Sequence, residues 1–401
     1  METYDLVLYG ATGFTGRLAV AYVATQYPTM KFAIAGRREE ALKKVKVELG
    51  NANVGILVAD SANKEALSKM VSRAKVVATT AGPFSRYGTL LVETCAELGV
   101  DYVDITGETN WVREMIAKYD DTARKTGARI VNLCGHDSVP WDLSTLLLAN
   151  KLKEGGEDLD RIDFYDDIKS APSGGTLETA LGIMFGTDGK GNNFPNSKAL
   201  GYDALLKLPD SSPSEFKFKA RNVGYTVEFP KKRALPYRSF FFMAAVNANT
   251  VKRSNAINGY GPAVRYTEGT SFPSLCAAVM FVLGYVVYGI CIYIAPLRWL
   301  MRKFYLPKPG EGPSDKFMDA GYLHVTGVAK GTKGTVAKST MSFNVDPGYK
   351  DTARMVVESA LSLSLDGHKI TSGGGVLTPA TCQKEVLLER LLATGTSFKF
   401  H

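Results

Sequence analysis

The chain has little histidine and little cysteine. Four histidines and five cysteines (Cys95, Cys134, Cys276, Cys291, Cys382) are scattered over 401 residues, with no CxxC pair and no Cys/His cluster. That spacing excludes a zinc module and a disulfide framework, and it favours a reducing compartment. Its 39 glycines and 17 prolines follow no period, which excludes collagen-like and low-complexity chains. No internal repeat is present. The N-terminus, METYDLVLYG, lacks a basic n-region before its first strand pattern, so no secretory leader is expected. Charge of one sign is scarce as well. Lys and Arg number 48 and Asp and Glu 40, a net +8. Residues 1–150 balance 17 of each sign, so the whole excess lies beyond residue 150. Spread that thinly, with no base-stacking module or recognition motif, it gives no support for nucleic acid as a partner. Hydrophobic residues at 45% and charged residues at 22% instead describe a globular chain. Its length implies two or three domains.

What is present first is alternation. Apolar strand patterns at 5–9, 32–35, 55–59, 76–80, 102–105 and 129–133 alternate with helical patterns at 17–26, 39–48, 64–73, 89–98 and 110–126. Such alternation predicts a parallel sheet covered on both faces, in a doubly wound Rossmann-type α/β domain over residues 1–150. Beyond residue 151 the texture changes. Residues 186–196 and 208–214 are loop-like. Strand patterns fall at 216–218, 225–229, 239–246, 323–327, 335–343 and 368–370, and helical ones at 349–363 and 382–392. This predicts a second, α+β domain with an antiparallel sheet over 151–401, serving substrate binding or oligomerisation.

Gly10-Ala11-Thr12-Gly13-Phe14-Thr15-Gly16 follows the first strand and opens the first helix. A pyrophosphate needs this close backbone approach, and free N–H groups at the helix start favour the anion. The second strand ends at Arg37 and Arg38, where a free ribose 2′-OH would call for an acid. Two guanidinium groups suit a 2′-phosphate, so NADP(H) is preferred, with NAD(H) as the alternative. Asp60, at the end of the third strand, is placed for an adenine or ribose contact. Ala81, Gly82, Pro83 and Phe84 end the fourth strand at the same edge.

GATGFTG, AGRR, TTAGPFSRYG, YVDITGE and GHDSVPWDL occur in this order. Together they resemble the saccharopine dehydrogenase-like oxidoreductases, in the branch holding lipid-droplet members and bacterial trans-acting enoyl reductases. SGGT at 173–176, PGEGP at 309–313 and GGVLTP at 374–379 extend the likeness along the chain. The resemblance implies a Rossmann domain, an α+β second domain and an NAD(P)-type cofactor. It implies that the glycine loop, Arg37 and residues 81–84 contact that cofactor. His136 stands where the family usually has an aromatic residue. The substrate-binding charges of true saccharopine dehydrogenases are not recognisable, so lysine metabolism does not carry over.

For catalysis the candidates are His136 and Asp137, directly after the sixth strand. His136 could protonate a carbanion or carbonyl after hydride transfer, with Asp137 orienting it. The alternative is that Asp137 and Ser138 cap a helix beginning near Pro140. No Ser-x-x-x-Lys or Tyr-x-x-x-Lys pair stands where a short-chain-type relay needs it. His324, His368 and His401 read as structural, and 173–176 as a polar turn that could approach a substrate or as a plain loop.

Finally, 29 uncharged residues run between Glu268 and Arg298. Segment 272–300 is long enough to enter a bilayer, with Tyr285, Tyr288, Tyr293 and Trp299 suited to an interface and a basic flank at Arg298, Arg302, Lys303 and Lys308. Because second-domain strands lie on both sides of it, a re-entrant hairpin or in-plane anchor is expected, bent at Gly284 or Gly289 and ended by Pro296. Burial in the core or at a homodimer interface is the alternative. The sequence therefore predicts an NADP(H)-dependent oxidoreductase on the cytoplasmic face of a membrane or lipid droplet, not secreted. It would reduce a C=C or C=O bond of a lipid-linked substrate. The competing expectation is a non-catalytic NADP(H)-binding scaffold or redox sensor at a lipid surface.

Overall fold

Short runs of aliphatic residues, buried on both faces, build the first sheet. The computed structural model describes residues 3–50, 54–171, 215–220, 224–225, 236–306 and 311–401. Its strands are β1 (Leu6–Tyr9), β2 (Phe32–Gly36), β3 (Gly55–Val58), β4 (Val76–Thr79), β5 (Asp101–Asp104), β6 (Arg129–Val131), β7 (Leu159–Lys169), β8 (Glu215–Ala220), β9 (Gly224–Tyr225), β10 (Tyr237–Ser239), β11 (Ala263–Phe272), β12 (Tyr322–Gly331), β13 (Val336–Phe343), β14 (Gly375–Leu377) and β15 (Ser397–Phe400). The first sheet has the order β14-β6-β5-β4-β1-β2-β3 and is parallel throughout. Side chains alternate between its faces as strand geometry requires. Leu6 and Leu8 enter one apolar cluster, with Val20, Val103 and Val356. Val7 and Tyr9 enter the other, with Leu67, Leu91 and Met115.

All six strands expected in residues 1–150 are present. The sheet is nevertheless not closed by them alone. Its seventh strand is β14, and the helix Thr352–Ser364, twelve of whose thirteen residues are buried, packs on the helix Phe14–Gln26 and on β4 and β5. The expected division at residue 150 is therefore crossed by C-terminal elements. The reason is physical: a parallel sheet needs both faces covered, and residues 352–364 supply part of that cover.

The second sheet has the order β15-β13-β12-β7-β11-β10-β9, with β8 also on β11. It is mixed rather than antiparallel, because β7 pairs β11, and β11 pairs β8, in parallel. Two further expectations change. Residues 368–370 do not form a strand; Gly367–Lys369 is a 3-10 turn. Only Ser239 of 239–246 is in a strand, and the chain turns into the helix Ala244–Asn258. Residues 173–176, 186–196 and 208–214, and 226–229 of one expected strand, lie outside the described residues, as does Lys308.

The helix Ala244–Asn258 braces the two sheets. It is rich in polar residues, which ordinarily marks a solvated helix, yet eleven of its fifteen residues are buried, with Ala244, Ala248 and Val251 in the core. Its polar groups find partners on both sides. Asn247 donates to Glu268 of β11 at 2.8 Å. Thr250 Oγ1 meets Ser138 Oγ at 3.1 Å. Arg253 donates to the Val376 carbonyl of β14 at 2.5 Å and faces the Asp120 carboxylate at 3.9 Å. Ser254 pairs with Thr378 at 2.6 Å, and Asn255 with the Gly261 backbone. Arg253→Met should cost about 3 kcal/mol, because a buried carboxylate loses a cationic neighbour and a carbonyl its donor. Denaturant unfolding reads this as a lowered midpoint; an unchanged midpoint would contradict the bracing role.

Candidate functional site

Because the first sheet is parallel, the carboxyl ends of its strands share one edge. The order reverses between β1 and β4, which opens a crevice outside that edge. The glycine loop lies there. Gly10 has φ +86°, which other residues rarely adopt, and a Cβ on it would approach Ala81 N to 2.9 Å. A Cβ on Gly16 would overlap the Gly10 carbonyl and come within 2.9 Å of Thr80 Oγ1. These two glycines thus let helix, loop and strand pack together. Gly13 differs. A Cβ there would meet only Gly10 O, at 3.4 Å, so the space beside it is open. Gly13 also heads the helix Phe14–Gln26, which has no side-chain cap and no acid in its first turn. Its first N–H groups and dipole are left for an anion. An open cradle at uncapped N–H groups fits a pyrophosphate. Thr12 and Thr15 flank it half-buried. The Phe14 ring turns away to meet Tyr349 edge-on, at 5.3 Å.

Arg37 and Arg38 are exposed and make no ion pair among the described residues. Glu39 and Glu40 instead open the next helix and pair with Lys43. The two guanidinium groups beyond β2 fit a 2′-phosphate. Asp60 is exposed beyond β3, where its carboxylate accepts from Ala62 N at 2.9 Å. Tyr9 donates to the neighbouring Ala59 carbonyl at 3.1 Å.

The turn 81–84 beyond β4 is held from β5. Glu108 accepts from Phe84 N at 2.6 Å and Ser85 N at 3.0 Å, capping the short helix Phe84–Tyr87. Phe84 itself is buried against Trp111, 5.7 Å away, so its ring holds the turn in place instead of facing the crevice. Asp104, at the end of β5, knots the next loop. It accepts from Thr106 N and Leu133 N at 3.1 Å, Asn132 Nδ2 at 2.7 Å and Tyr102 OH at 3.0 Å. Burial pushes its carboxyl up to about 6 against those bonds.

That knot delivers His136 and Asp137 to the same edge. His136 is buried, its N–H donates to Thr352 Oγ1 at 3.0 Å, and its ring lies 5.3 Å from Trp141 and 6.4 Å from Phe241. Burial holds its imidazole down to about 3, so it stays neutral. A neutral imidazole is a much weaker acid than an imidazolium, which counts against the proton-donor role expected of it. The capping alternative is not realised either. The helix begins at Val139, but Ser138 makes no cap bond; its hydroxyl turns to the Asp137 carbonyl and to Thr250. The Asp137 carboxylate is 41% accessible and lies 3.7 Å from His136 Nε2. Partial burial beside His136 raises it above the usual carboxylate range, to about 7.

Behind His136 stands a polar group that the sequence reading missed. Trp141 Nε1 donates to Asp166 Oδ1 at 3.2 Å. Glu268 accepts from Asn247 Nδ2 at 2.8 Å and Tyr266 OH at 2.5 Å. Both acids are fully buried. Their only sequence signal is a carboxylate inside an otherwise buried strand pattern, since buried acids are rare unless partnered. His324 and His401 bond Ser342 and Thr340. Among the described residues no His/Cys/Asp/Glu group is arranged to hold a metal.

The helix Leu275–Tyr293 runs unbroken through Gly284 and Gly289; the chain breaks at Ile294, before the helix Ala295–Phe304. Only Ala278 and Ile292 of its nineteen residues are buried. Core burial is thereby excluded for this chain alone. Phe281 and Tyr285 join it to Phe240 and Phe272 at the second sheet, while Leu283, Val286 and Val287 are more than half exposed.

The chain matches the family described as the saccharopine dehydrogenase NADP binding domain over residues 6–131. It is 36% identical, over 99% of its length and 97% of the relative's, to a Mycobacterium tuberculosis protein provisionally named a trans-acting enoyl reductase. It is 35% identical to the trans-acting enoyl reductase of Mycobacterium leprae, covering 98% and 96% of the two chains. Among solved structures, the apo saccharopine dehydrogenase (L-Glu forming) of Saccharomyces cerevisiae superposes with a TM-score of 0.56 over 99% of this chain and 100% of that one. At 13% identity that likeness concerns the fold.

Gly13→Ala should keep the fold and weaken NADPH binding tenfold or more, since only the ligand side of the loop is filled. Gly16→Ala should instead lower the unfolding midpoint, because backbone must move. Calorimetric titration and thermal melts separate the two; undiminished NADPH affinity in Gly13→Ala would contradict the cradle. Joint Arg37→Asp and Arg38→Asp should weaken NADPH by at least about tenfold more than NADH. Equal losses would remove the 2′-phosphate assignment.

Proposed function

The chain belongs to the saccharopine dehydrogenase-like oxidoreductases, in the family of the trans-acting enoyl reductases, and on that premise we propose that it reduces a carbon–carbon double bond of a lipid-linked acyl substrate at a membrane surface. It is an NADP-dependent oxidoreductase. The glycine loop, Arg37, Arg38 and the 81–84 turn would hold the cofactor, which supplies a hydride when bound. The protein's own part is to orient the acceptor, exclude water and hold a proton for the carbon that becomes negative.

The observation that carries this reading is the Asp137 carboxyl. It stands beyond β6, is reachable from the crevice, and is raised to about 7 by its surroundings. A carboxylic acid with that value retains a transferable proton near neutrality, which suits a general acid. Neutral His136 packs beside it, with Nε2 3.7 Å from the carboxylate. The competing reading is a scaffold without turnover; an acid at Asp137 favours turnover over it.

Attachment to lipid rests on the naked helix. Nineteen residues span about 28 Å at 1.5 Å each, close to a hydrocarbon core, and its mean hydropathy is 2.4. Both its ends return to one sheet, so it enters a leaflet with its neighbour Ala295–Phe304 rather than dividing the domain. Trp299, Phe304 and Tyr305 are exposed on or beside that second helix. Arg302 and Lys303 lie near its end, where anionic headgroups would receive them.

With NADPH and a 2-enoyl thioester, turnover should be fastest in the acidic range and fall as pH rises through about 7, as Asp137 loses its proton. Asp137→Asn should lower kcat about 10²- to 10⁴-fold with little change in NADPH affinity; undiminished kcat would transfer the acid role elsewhere. Flotation with vesicles containing anionic lipid should carry the wild type upward. Joint Leu283→Ser, Val286→Ser and Val287→Ser should leave the protein at the bottom, still folded, and continued flotation would contradict the anchor.

A further inference from the structure

Three phenylalanines stand in a row at Phe240, Phe241 and Phe242, followed by Met243, between β10 and the helix Ala244–Asn258. The cofactor cradle uses none of them. Their side chains face three parts of the fold. Phe240 packs on Phe281 and Tyr285 of the helix Leu275–Tyr293, with ring centroids 5.6 and 5.3 Å apart. Phe241 is buried and meets His136 at 6.4 Å and Trp141 at 5.5 Å. Phe242 touches Phe241 at 5.2 Å and Tyr285 at 6.2 Å, yet it is 52% exposed. Met243 reaches the loop beyond β5, where a Cβ on Gly107 would come within 3.1 Å of its Cε. The rings of His136, Phe241, Phe242 and Tyr285 thus form one series, each step inside the range of aromatic contact, about 4.5–7 Å. One end stands beside the Asp137 carboxylate, 3.7 Å from His136 Nε2. The other end is on the helix whose Leu283, Val286 and Val287 are more than half exposed. No charged residue lies between Arg238 and Lys252.

We propose that this aromatic turn guides the alkyl tail of a long-chain acyl substrate between the leaflet and Asp137, with Phe242 and Tyr285 in contact with the tail. Phe240 and Phe241 are positioning residues that hold Phe242 in its half-exposed place. An exposed phenylalanine continuous with exposed aliphatic residues is an apolar strip that water solvates poorly, and such strips mark binding surfaces. The strip carries no charge, so it offers contact to an alkyl chain and nothing to a polar headgroup. Its rings have few torsions to freeze, so little conformational freedom is lost when a chain lies on them. The reactive double bond of a 2-enoyl thioester is next to its head, not its tail. Such a substrate can therefore place that bond at the crevice while its tail remains along the turn and the helix. Each methylene laid on the strip leaves water, which favours binding about two- to fourfold. Phe242 accordingly sets the preference for chain length.

The guide rests on the enoyl-reduction reading for the head of the substrate, but the course of the tail is read without turnover. The full chain, on vesicles of phosphatidylcholine and phosphatidylglycerol, is mixed with NADP+ and a 2-hexadecenoyl thioester. The thioester carries a photoreactive diazirine either near the double bond or at the end of the tail. After irradiation, peptide mass spectrometry locates the adducts. The first probe should label the peptide holding residues 240–243, and the second the helix Leu275–Tyr293. Equal labelling by both probes, or labelling confined to Leu283, Val286 and Val287 with either, is what a probe merely dissolved in the leaflet gives, and it overturns the guide. Kinetics with NADPH give a second reading. In the wild type kcat/KM should rise at least about tenfold from the 2-butenoyl to the 2-hexadecenoyl thioester. Phe242→Ser should lose at least about tenfold more on the long thioester than on the short one. Its thermal midpoint should hold, because the ring is half in solvent. Phe242→Leu, which keeps an apolar contact, should recover most of the preference. Partition of each thioester into the vesicles is the same for all three proteins, so the ratio of long to short reads the ring. An unchanged ratio in Phe242→Ser overturns the role of Phe242. If the probes label as expected while neither thioester oxidises NADPH, the guide stands and the reaction assignment falls.

Discussion

A polar helix buried between two sheets sets the conditions for the rest of this structure. Ala244–Asn258 brings asparagines, a threonine, a serine and an arginine out of water, and each must find a partner or destabilise the fold. The partners lie on different elements: Glu268 on β11, Ser138 beyond β6, the Val376 carbonyl on β14 and Thr378 after it. Satisfying one helix therefore fixes how the second sheet meets the carboxyl edge of the first. It also explains why a strand from residues 375–377 completes the cofactor sheet.

The same constraint places the chemistry. The cofactor cradle, the arginines and the 81–84 turn all follow from parallel strands ending on one edge. The second sheet is drawn to that edge by the helix, and it brings Trp141's partner Asp166 and the neighbouring Glu268 beneath His136. Burial then sorts the titratable groups. An imidazole is driven neutral, while carboxyls retain protons. In the proposed reaction the donor is the acid beside the histidine for electrostatic reasons, not because of any difference in position along the chain.

Legibility in the sequence followed the range of the interactions. The six strands of residues 1–150 were readable because each is a local apolar run, and the glycine loop because its context is a strand and a helix immediately adjacent. The exposed helix Leu275–Tyr293 was readable from 29 uncharged residues, although its continuity past Gly284 and Gly289 was not. Ala244–Asn258 was missed because its short apolar stripe of Ala244, Ala248 and Val251 is interrupted by asparagines, serine and arginine; the burial of those polar groups depends on partners up to 124 positions away, as Ser254 with Thr378 shows. β14 was missed because three residues give no periodic signal. Asp166 and Glu268 were missed as a site because only the register of β7 and β11 makes them neighbours.

The central claim is hydride transfer to a carbon–carbon double bond with a proton from the protein. Its most direct measurement is mass spectrometry of the product formed from a 2-enoyl thioester and NADPH that carries deuterium at its hydride position. The account predicts a saturated acyl product with one cofactor-derived deuterium, and a second incorporated only when the reaction runs in heavy water. Bound, unoxidised cofactor and an acyl chain that gains no label would contradict it.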